Sequence, residues 1–283
     1  MMGIIGRFKL LYYYVFYKEC RKNTTLNDLF WHFSLSKCED LVKDYAVFIS
    51  KDDKYTHYSI NGIEGEFKYP NSVPYHNFAQ VVAEGMLKKH WHYYEIDKTR
   101  VLDGDIVVDC GSAEGFFAFK NKKKAGKIYL IEPLPVFCDS LKANFDNYEN
   151  IQICNVALGS ESGTAIIELN EQSPIASKIF VDATITDKSK QIPLQTIDSL
   201  FVEKNIKIDY LKADLEGFEE SMIRGAIKTI VDSKPKIAIT TYHKGQNAKI
   251  LIDLIKSHVP EYNYILKGIE SFEGKPVMLH MWV

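Results

Sequence analysis

The chain has 283 residues, enough for one large domain or for one domain with a substantial extension. A hydrophobic content of 46% supports a full core and excludes a disordered chain, and 35 basic against 37 acidic residues argue against bulk binding of nucleic acid. The 5 cysteines contain no Cys-x-x-Cys pair, so we expect neither a disulfide framework nor a zinc site. The first 17 residues resemble neither a signal peptide nor a membrane span, and we expect a cytoplasmic protein.

Residues 1–98 are crowded with aromatic side chains and are predicted to form an α+β extension before a main domain at 99–283. One helical face near the start carries the apolar residues Ile4, Ile5, Phe8, Leu11, Tyr12, Val15 and Phe16. Basic residues are frequent over residues 1–22. Two interpretations follow: a helix lying on a membrane surface, or the commoner arrangement of a helix packed on the main domain or on a partner subunit of a homodimer.

Local signals predict the elements that follow. Thr25 can cap a helix that runs to about residue 34. Short strands are expected at 45–49, 55–60 and 63–67, and the Asn61-Gly62 pair predicts a hairpin between the last two. A helix is expected over 78–94.

From residue 105 onward, apolar strands and helices alternate. Strands are predicted at 105–110, 127–132, 151–155, 207–213, 236–241, 263–267 and 276–282, and helices at 115–122, 135–145, 198–204, 217–231 and 245–257. Alternation of this kind predicts an α/β, doubly wound, largely parallel sheet. The last two strands are joined by too few residues for a helical crossover and should pair antiparallel. A mostly parallel sheet with one antiparallel strand near the C-terminus is the Rossmann-like architecture of class I S-adenosylmethionine-dependent methyltransferases.

The first of these strands ends in Val108-Asp109-Cys110-Gly111-Ser112-Ala113-Glu114-Gly115. Gly111 can take φ values that are closed to other residues, and Gly115 brings no Cβ to the place where a ligand would lie. Glu132, at the end of the second strand, can accept hydrogen bonds from both hydroxyls of a ribose. The two strand ends together predict a nucleoside-containing cofactor, with a ligand-free turn as the structural alternative.

Later strand ends add further candidate residues. Asn155 to Ala157 follow the third strand, where the chain usually passes an adenine. Asp214 ends the fourth strand, where ligands of open α/β sheets collect, although it can also cap the next helix. His243 follows the fifth strand and can accept a proton near neutral pH, although a histidine there can also be structural.

Together these segments resemble the FkbM family of S-adenosylmethionine-dependent methyltransferases over about residues 100–245. The resemblance is strongest in the motifs at 108–115, 129–135, 155–159, 194–200, 212–217 and 242–243. It implies S-adenosylmethionine as cofactor and methylation of a hydroxyl on a sugar, glycan or small natural product. The cofactor-binding residues that we expect are Asp109, Gly111, Ser112, Glu114, Gly115, Glu132, Pro133, Asn155, Ala157 and Asp214.

The sequence departs from the family pattern at Glu114, where members commonly have Gly-Ala-Asn at the start of the loop. A carboxylate here can bind the α-amino group of the cofactor but repels its carboxylate.

The resemblance leads to a mechanism in which His243 is the catalytic base and Asp214 assists it. No resident metal is expected; the alternative is a divalent ion held by Asp214, Glu216 and His243. Two other functions stay open, a nicotinamide-dependent oxidoreductase and a non-catalytic scaffold. The first is disfavoured because the loop lacks the third glycine of a dinucleotide-binding turn.

Overall fold

The computed structural model describes residues 4–34, 38–168, 178–181 and 189–283. The helices are α1 Ile4–Phe16, α2 Lys18–Asn23, α3 Leu26–Ser34, α4 Cys38–Leu41, α5 Tyr75–Met86, α6 Phe116–Asn121, α7 Pro135–Phe145, α8 Ile197–Phe201, α9 Glu219–Arg224, α10 Ile227–Ser233 and α11 Ala248–His258. The strands are β1 Ala46–Lys51, β2 Tyr55–Ile60, β3 Ile63–Pro70, β4 Ile106–Cys110, β5 Lys127–Ile131, β6 Ile151–Cys154, β7 Ala157–Leu158, β8 Gly163–Glu168, β9 Lys178–Val181, β10 Ser189–Gln195, β11 Tyr210–Ala213, β12 Lys236–Thr240, β13 Asn263–Lys267 and β14 Met278–Trp282.

A seven-stranded sheet in the order β13-β14-β12-β11-β4-β5-β6 forms the centre of the fold. The neighbours from β12 through β6 pair in parallel, whereas β14 is antiparallel to both β12 and β13. The predicted α/β class and the reversed strand near the C-terminus are therefore confirmed. All four residues of β11 are buried, as expected for a strand covered by helices on both faces.

The strand order changes direction at β4. From β4 the chain passes to β5 on one side, and it returns later as β11 on the other side. In open α/β sheets a crevice forms outside the carboxyl ends of the strands at such a point. The residues that follow β4, β5 and β11 therefore meet at one place.

Gly111 allows β4 and β11 to approach each other closely. Its φ is +72°, and a Cβ there would stand 1.9 Å from the carbonyl oxygen of Asp214. The predicted need for a glycine at 111 thus has two causes, the backbone conformation and the proximity of β11.

A second sheet, in the order β7-β10-β8-β9, was not predicted from the sequence. Strand β7 has two residues, and β10 contains Pro193, which removes a backbone donor and weakens the strand pattern. The single helix expected at 217–231 is also two helices, α9 and α10, because the chain turns near Gly225.

The first hundred residues form a three-stranded antiparallel sheet, β1-β2-β3, with helices around it. The Asn61-Gly62 hairpin and the Thr25 cap are confirmed, since Thr25 Oγ1 accepts a hydrogen bond of 3.1 Å from the Asp28 amide. The helix expected over 78–94 ends at Met86. Residues 91–94 are all buried, which a regular helix packed on one face cannot achieve, so this segment folds as turns.

One hydrophobic core joins this region to the central sheet. Phe67 of β3 lies 5.4 Å from Phe116 and 5.0 Å from Phe119 of α6, measured between ring centroids. Phe78 of α5 belongs to the same cluster. The opposite face of the sheet is covered by α8 to α11 around a second cluster.

Helix α1 does not bury the apolar face identified from the sequence. Leu10 is fully buried, whereas Ile5, Phe8 and Phe16 are 73%, 68% and 70% exposed. Among the described residues, the predicted helix packs on the main domain through Leu10, in a cluster with Trp91 and Ile269, and not through the apolar face identified from the sequence; residues 1–3 of the 1–22 segment lie outside them. Within the described chain, no helix combines the length and apolar character needed to cross a bilayer.

We expect Gly111→Ala to destabilise the protein by at least about 4 kcal/mol, because the new methyl group collides with the β11 backbone. Urea unfolding measures the loss. Gly62→Ala is the matched control, since Gly62 also has a positive φ, +82°, but has no atom within 4 Å of the place where a Cβ would stand. Gly62→Ala should lower the free energy of unfolding by only about 1–2 kcal/mol. Equal losses for the two variants would mean that backbone conformation alone explains the need for Gly111.

Candidate active site

A cavity of about 620 Å³ lies at the carboxyl ends of β4, β5 and β11. Its floor is formed by residues that follow those strands, including Gly111, Glu132 and Asp214. Its opposite wall comes from the first hundred residues, through β3 and α5 and the turn after it. The cavity therefore lies between the predicted cofactor turn and the amino-terminal region.

The turn after β4 is held by its own backbone and by Glu132. The Ala113 amide donates a hydrogen bond of 2.9 Å to Glu132 Oε2, and the Ser112 hydroxyl donates one of 2.7 Å to the Asp109 carbonyl. Ala113 has a positive φ of 45°, which is unusual for a residue with a side chain. Ala113 and Glu114 line the cavity.

The structure gives Gly115 a different role from the predicted one. A Cβ at Gly115 would lie 2.6 Å from the Leu141 side chain and 2.5 Å from that of Phe145. These residues belong to α7, so Gly115 is needed for the packing of α6 against α7 rather than for space in the cavity.

Asp109 forms a buried ion pair. Its carboxylate is fully buried and lies 2.9 Å from Lys212 Nζ, which also donates a hydrogen bond of 2.6 Å to the Gly111 carbonyl. Burial alone would lower the pKa of Lys212, but the carboxylates of Asp109 and Asp214 outweigh it and raise that pKa. Asp109, which the sequence predicted as a cofactor contact, thus lies beneath the turn, where its ion pair with Lys212 links β4 to β11.

Glu132 lies at the floor of the cavity and is held from two sides. Besides the Ala113 amide, the Leu134 amide donates to it at 2.9 Å. The Asn155 side chain donates to the Glu132 carbonyl at 2.9 Å, so Asn155 supports this corner. Burial raises the pKa of Glu132 to about 7.

Glu114 is also buried, and burial raises its pKa to about 7. Glu114 and Glu132 therefore both stand in the cavity with carboxyl groups that titrate near neutral pH. A bound cation is the partner that would favour their charged forms.

An apolar slot adjoins the cavity. It is lined by Pro133, Ala157, Leu158, Leu215 and Phe218, among others. Pro133, Leu215 and Phe218 line both spaces, so the two adjoin. Side chains of this kind can pack against a flat aromatic ring that lies in the cavity.

Asp214 stands between two histidines. His92 Nε2 lies 3.6 Å from Asp214 Oδ2, and His243 Nε2 lies 3.6 Å from Asp214 Oδ1. The Tyr94 hydroxyl donates a hydrogen bond of 2.7 Å to Asp214, and that of Thr240 donates one of 3.2 Å. Burial would raise the pKa of Asp214, but His92, Lys212 and His243 outweigh it, so the pKa is lowered and the group is charged.

Each histidine is oriented by a carboxylate on its other nitrogen. His243 Nδ1 lies 3.2 Å from Glu219 Oε1, and His92 Nδ1 lies 2.9 Å from Glu84 Oε2. Burial lowers the pKa of both histidines, but the neighbouring carboxylates outweigh it and raise both pKa values. Each Nε2 atom is buried and has no hydrogen-bond partner in the described part of the chain.

Sequence reasoning missed His92, Glu84 and Tyr94. The sequence signal available was the stretch His90-Trp91-His92-Tyr93-Tyr94, which is dense in polar aromatic groups. Nothing in it indicates that residues so far from Asp214 along the chain would touch it. His92 lines the cavity directly, whereas His243 lies behind Asp214 and Glu216.

A metal ion would find three candidate ligands here. Among the described residues, one ligand atom each from Asp214, Glu216 and His243 lie within 4.8 Å of one another. Glu216 has a positive φ of 53°, and its carboxylate lies 3.4 Å from His243 Nε2. The arrangement is compatible with either a proton-accepting histidine or a histidine ligand.

Comparison with known proteins gives a family match. The family described as "Methyltransferase FkbM domain" matches residues 109–266, more than half of the chain. No curated protein matches the sequence.

Solved structures of methyltransferases are similar at low identity. A methyltransferase FkbM from Methylobacillus flagellatus is 21% identical, covering 73% of this chain and 54% of that one, with a TM-score of 0.49. The chain thus spans about half the length of that protein. Fibrillarin from Aeropyrum pernix with natively bound S-adenosyl-L-methionine is 12% identical over 83% of this chain and 98% of that one, with a TM-score of 0.40. TYW2 of M. jannaschii in complex with AdoMet is 11% identical, with coverages of 83% and 87% and a TM-score of 0.40.

Proposed function

The chain belongs to the FkbM family of methyltransferases, which use S-adenosylmethionine, and on this premise we propose that it methylates a hydroxyl oxygen of a sugar, glycan or small natural product. The observation that carries the proposal is the position of Asp214, charged and flanked by two oriented histidines, at the edge of a cavity that also contains Glu114 and Glu132. This combines an acid–base group with a site for a cationic nucleoside.

The cavity fits S-adenosylmethionine in three respects. Glu132 retains lone pairs for ribose hydroxyls, and Glu114 can pair with the α-ammonium group. Pro133 and Phe218, which line both the slot and the cavity, offer apolar surface against which the adenine can pack. When bound, the cofactor supplies an activated methyl group, so the protein's own residues need only position the acceptor, exclude water and remove a proton.

The amino-terminal wall is where we place the acceptor. Tyr69, Asn77 and Gln80 line the cavity on this side. The Tyr69 hydroxyl and Asn77 Oδ1 are buried and have no hydrogen-bond partner among the described residues. Buried polar atoms without partners are costly, so an acceptor hydroxyl that bonds to them would be favoured.

We propose His243 as the catalytic base. Glu219 contacts Nδ1 of His243, so the other ring nitrogen, Nε2, faces Asp214. The acceptor hydroxyl can therefore pass its proton to the Asp214 carboxylate, which passes it on to His243 Nε2. Asp214 then serves to orient the acceptor hydroxyl. Glu219 is itself fixed by the amides of Leu215 and Gly217, which makes the arrangement rigid.

Binding of the methyl donor is the first test. S-adenosylmethionine should raise the melting temperature of the full chain, and NAD should not, because the turn lacks the third glycine that a pyrophosphate needs. Glu132→Gln should weaken the response, since an amide cannot accept hydrogen bonds with both of its polar atoms. If S-adenosylmethionine does not raise the melting temperature even at high concentration, the protein would instead be a scaffold with a degenerate site.

Donor affinity should depend on pH through Glu114. Its pKa of about 7 means that the carboxylate form, which pairs with the α-ammonium group, increases from pH 6 to pH 8. Affinity should therefore tighten over this range by up to about tenfold per titrating group. Calorimetry of Glu114→Gln should show a flatter dependence, while Glu203→Gln, at an exposed position, should match the wild type. If donor affinity in Glu114→Gln depended on pH as steeply as in the wild type, Glu114 would not be the group that pairs with the α-ammonium group.

His243→Ala should reduce kcat by about 10²–10⁴-fold and leave donor affinity unchanged. The rate of the wild type should rise as pH increases above 6.5, because the carboxylates raise the pKa of His243 and the base must be neutral. The readout is donor turnover with pools of glycans and small hydroxyl compounds.

His92→Ala is the matched comparison, since His92 lies at the same 3.6 Å from Asp214 but lines the acceptor wall. It should raise the acceptor KM more than it lowers kcat. A greater loss of kcat in His92→Ala than in His243→Ala would mean that His92, and not His243, is the catalytic base. Activity abolished by a chelator and restored by Mg²⁺ or Mn²⁺ would assign the Asp214, Glu216 and His243 group to a metal.

A further inference from the structure

Helix α1 presents an apolar stripe to solvent. Ile5, Phe8, Leu11, Tyr12, Val15 and Phe16 are between 39% and 73% exposed, and they share one side of the helix. A contiguous exposed patch of this kind on a folded protein marks an interaction surface. We call these six residues the α1 stripe.

Cations flank the stripe on both edges. At about 100° per residue, Arg7 and Lys9 fall on opposite sides of it; Lys9 is exposed and Arg7 is half-buried. Long basic side chains at the borders of an apolar face are the pattern of a helix that lies in a membrane interface, where their charged ends reach the headgroups. Tyr12 adds an amphipathic aromatic ring of the type enriched at that depth.

The surroundings of α1 continue this pattern. Phe272, 79% exposed, is attached to the helix because its carbonyl accepts a hydrogen bond of 2.6 Å from the Tyr13 hydroxyl. Lys18, Arg21 and Lys22 follow in α2, where Glu19 pairs with Lys22 at 2.9 Å, and Glu270 and Glu273 lie in the turn with Phe272, so the basic residues of α1 and α2 still outnumber the acidic residues around them. This local excess of positive charge contrasts with a net charge of −2 for the whole chain.

We infer that α1 docks the protein on an anionic lipid surface, with the α1 stripe and Phe272 inserted among the lipids and the basic residues of α1 and α2 at the headgroups. The inference is independent of the proposed chemistry. A second copy of the chain is a poorer occupant, because two copies joined through this face would bring like charges together. An anionic membrane satisfies both the apolar stripe and the cations.

Docking would fix the position of the cavity relative to the lipid surface. The inner side of α1 packs through Leu10 into a cluster with Leu29, Trp91 and Ile269. Trp91 directly precedes His92, which lines the cavity. The docking helix and the acceptor wall are thus joined through one packed cluster.

The test is flotation of the full chain with vesicles of phosphatidylcholine alone or mixed with phosphatidylglycerol. We expect binding to the mixed vesicles that weakens with salt, and little binding to phosphatidylcholine alone. The triple variant Ile5→Ser, Phe8→Ser, Phe16→Ser should bind at least about a hundredfold less, because it loses three inserted apolar side chains. Lys9→Glu with Lys18→Glu should lose the preference for anionic lipid.

The matched control replaces three exposed apolar residues elsewhere, Phe48→Ser, Val231→Ser and Ile250→Ser, and should bind vesicles like the wild type. All variants should keep their melting temperatures, since the replaced side chains are exposed. No binding to mixed vesicles, equal binding to both vesicle types, or a dimer in gel filtration that the triple variant abolishes would each overturn the inference.

Discussion

The close approach of β4 and β11 is the constraint on which the rest of the structure depends. Gly111 lies against the Asp214 carbonyl with no room for a side chain, and Lys212 joins β11 to Asp109 and to the turn. An ion pair buried in this way is costly to break, because either partner alone would leave an uncompensated charge. The pair therefore fixes the turn and Asp214 relative to each other.

Buried carboxylates next to this junction fix the neighbouring loops through hydrogen bonds. Glu132 holds the turn from β5, and Glu219 holds the loop after β11 and the ring of His243. Both carboxylates accept hydrogen bonds from backbone amides, so the cavity floor is set before any ligand binds. Such preorganisation suits a reaction in which alignment is the main task of the protein.

The amino-terminal region completes the site and extends beyond it. Through Tyr94 and His92 it contacts Asp214, and through α5 it lines the side of the cavity where we place the acceptor. Because it shares one hydrophobic core with the central sheet, its position relative to the cavity is fixed by packing. The same region carries α1, so the acceptor site and the membrane-docking surface that we propose belong to one structural unit.

The sequence by itself determined the sheet, its reversed strand and the strand ends at Gly111, Glu132, Asp214 and His243, because apolar periodicity and turn chemistry are local properties. The second sheet was not predicted because its strands are short and Pro193 interrupts the apolar periodicity of one of them. Only the tertiary structure decided that His92 meets Asp214, that Gly115 serves packing, and that the apolar face of α1 is exposed. Those outcomes depend on contacts between distant segments, which local patterns do not encode.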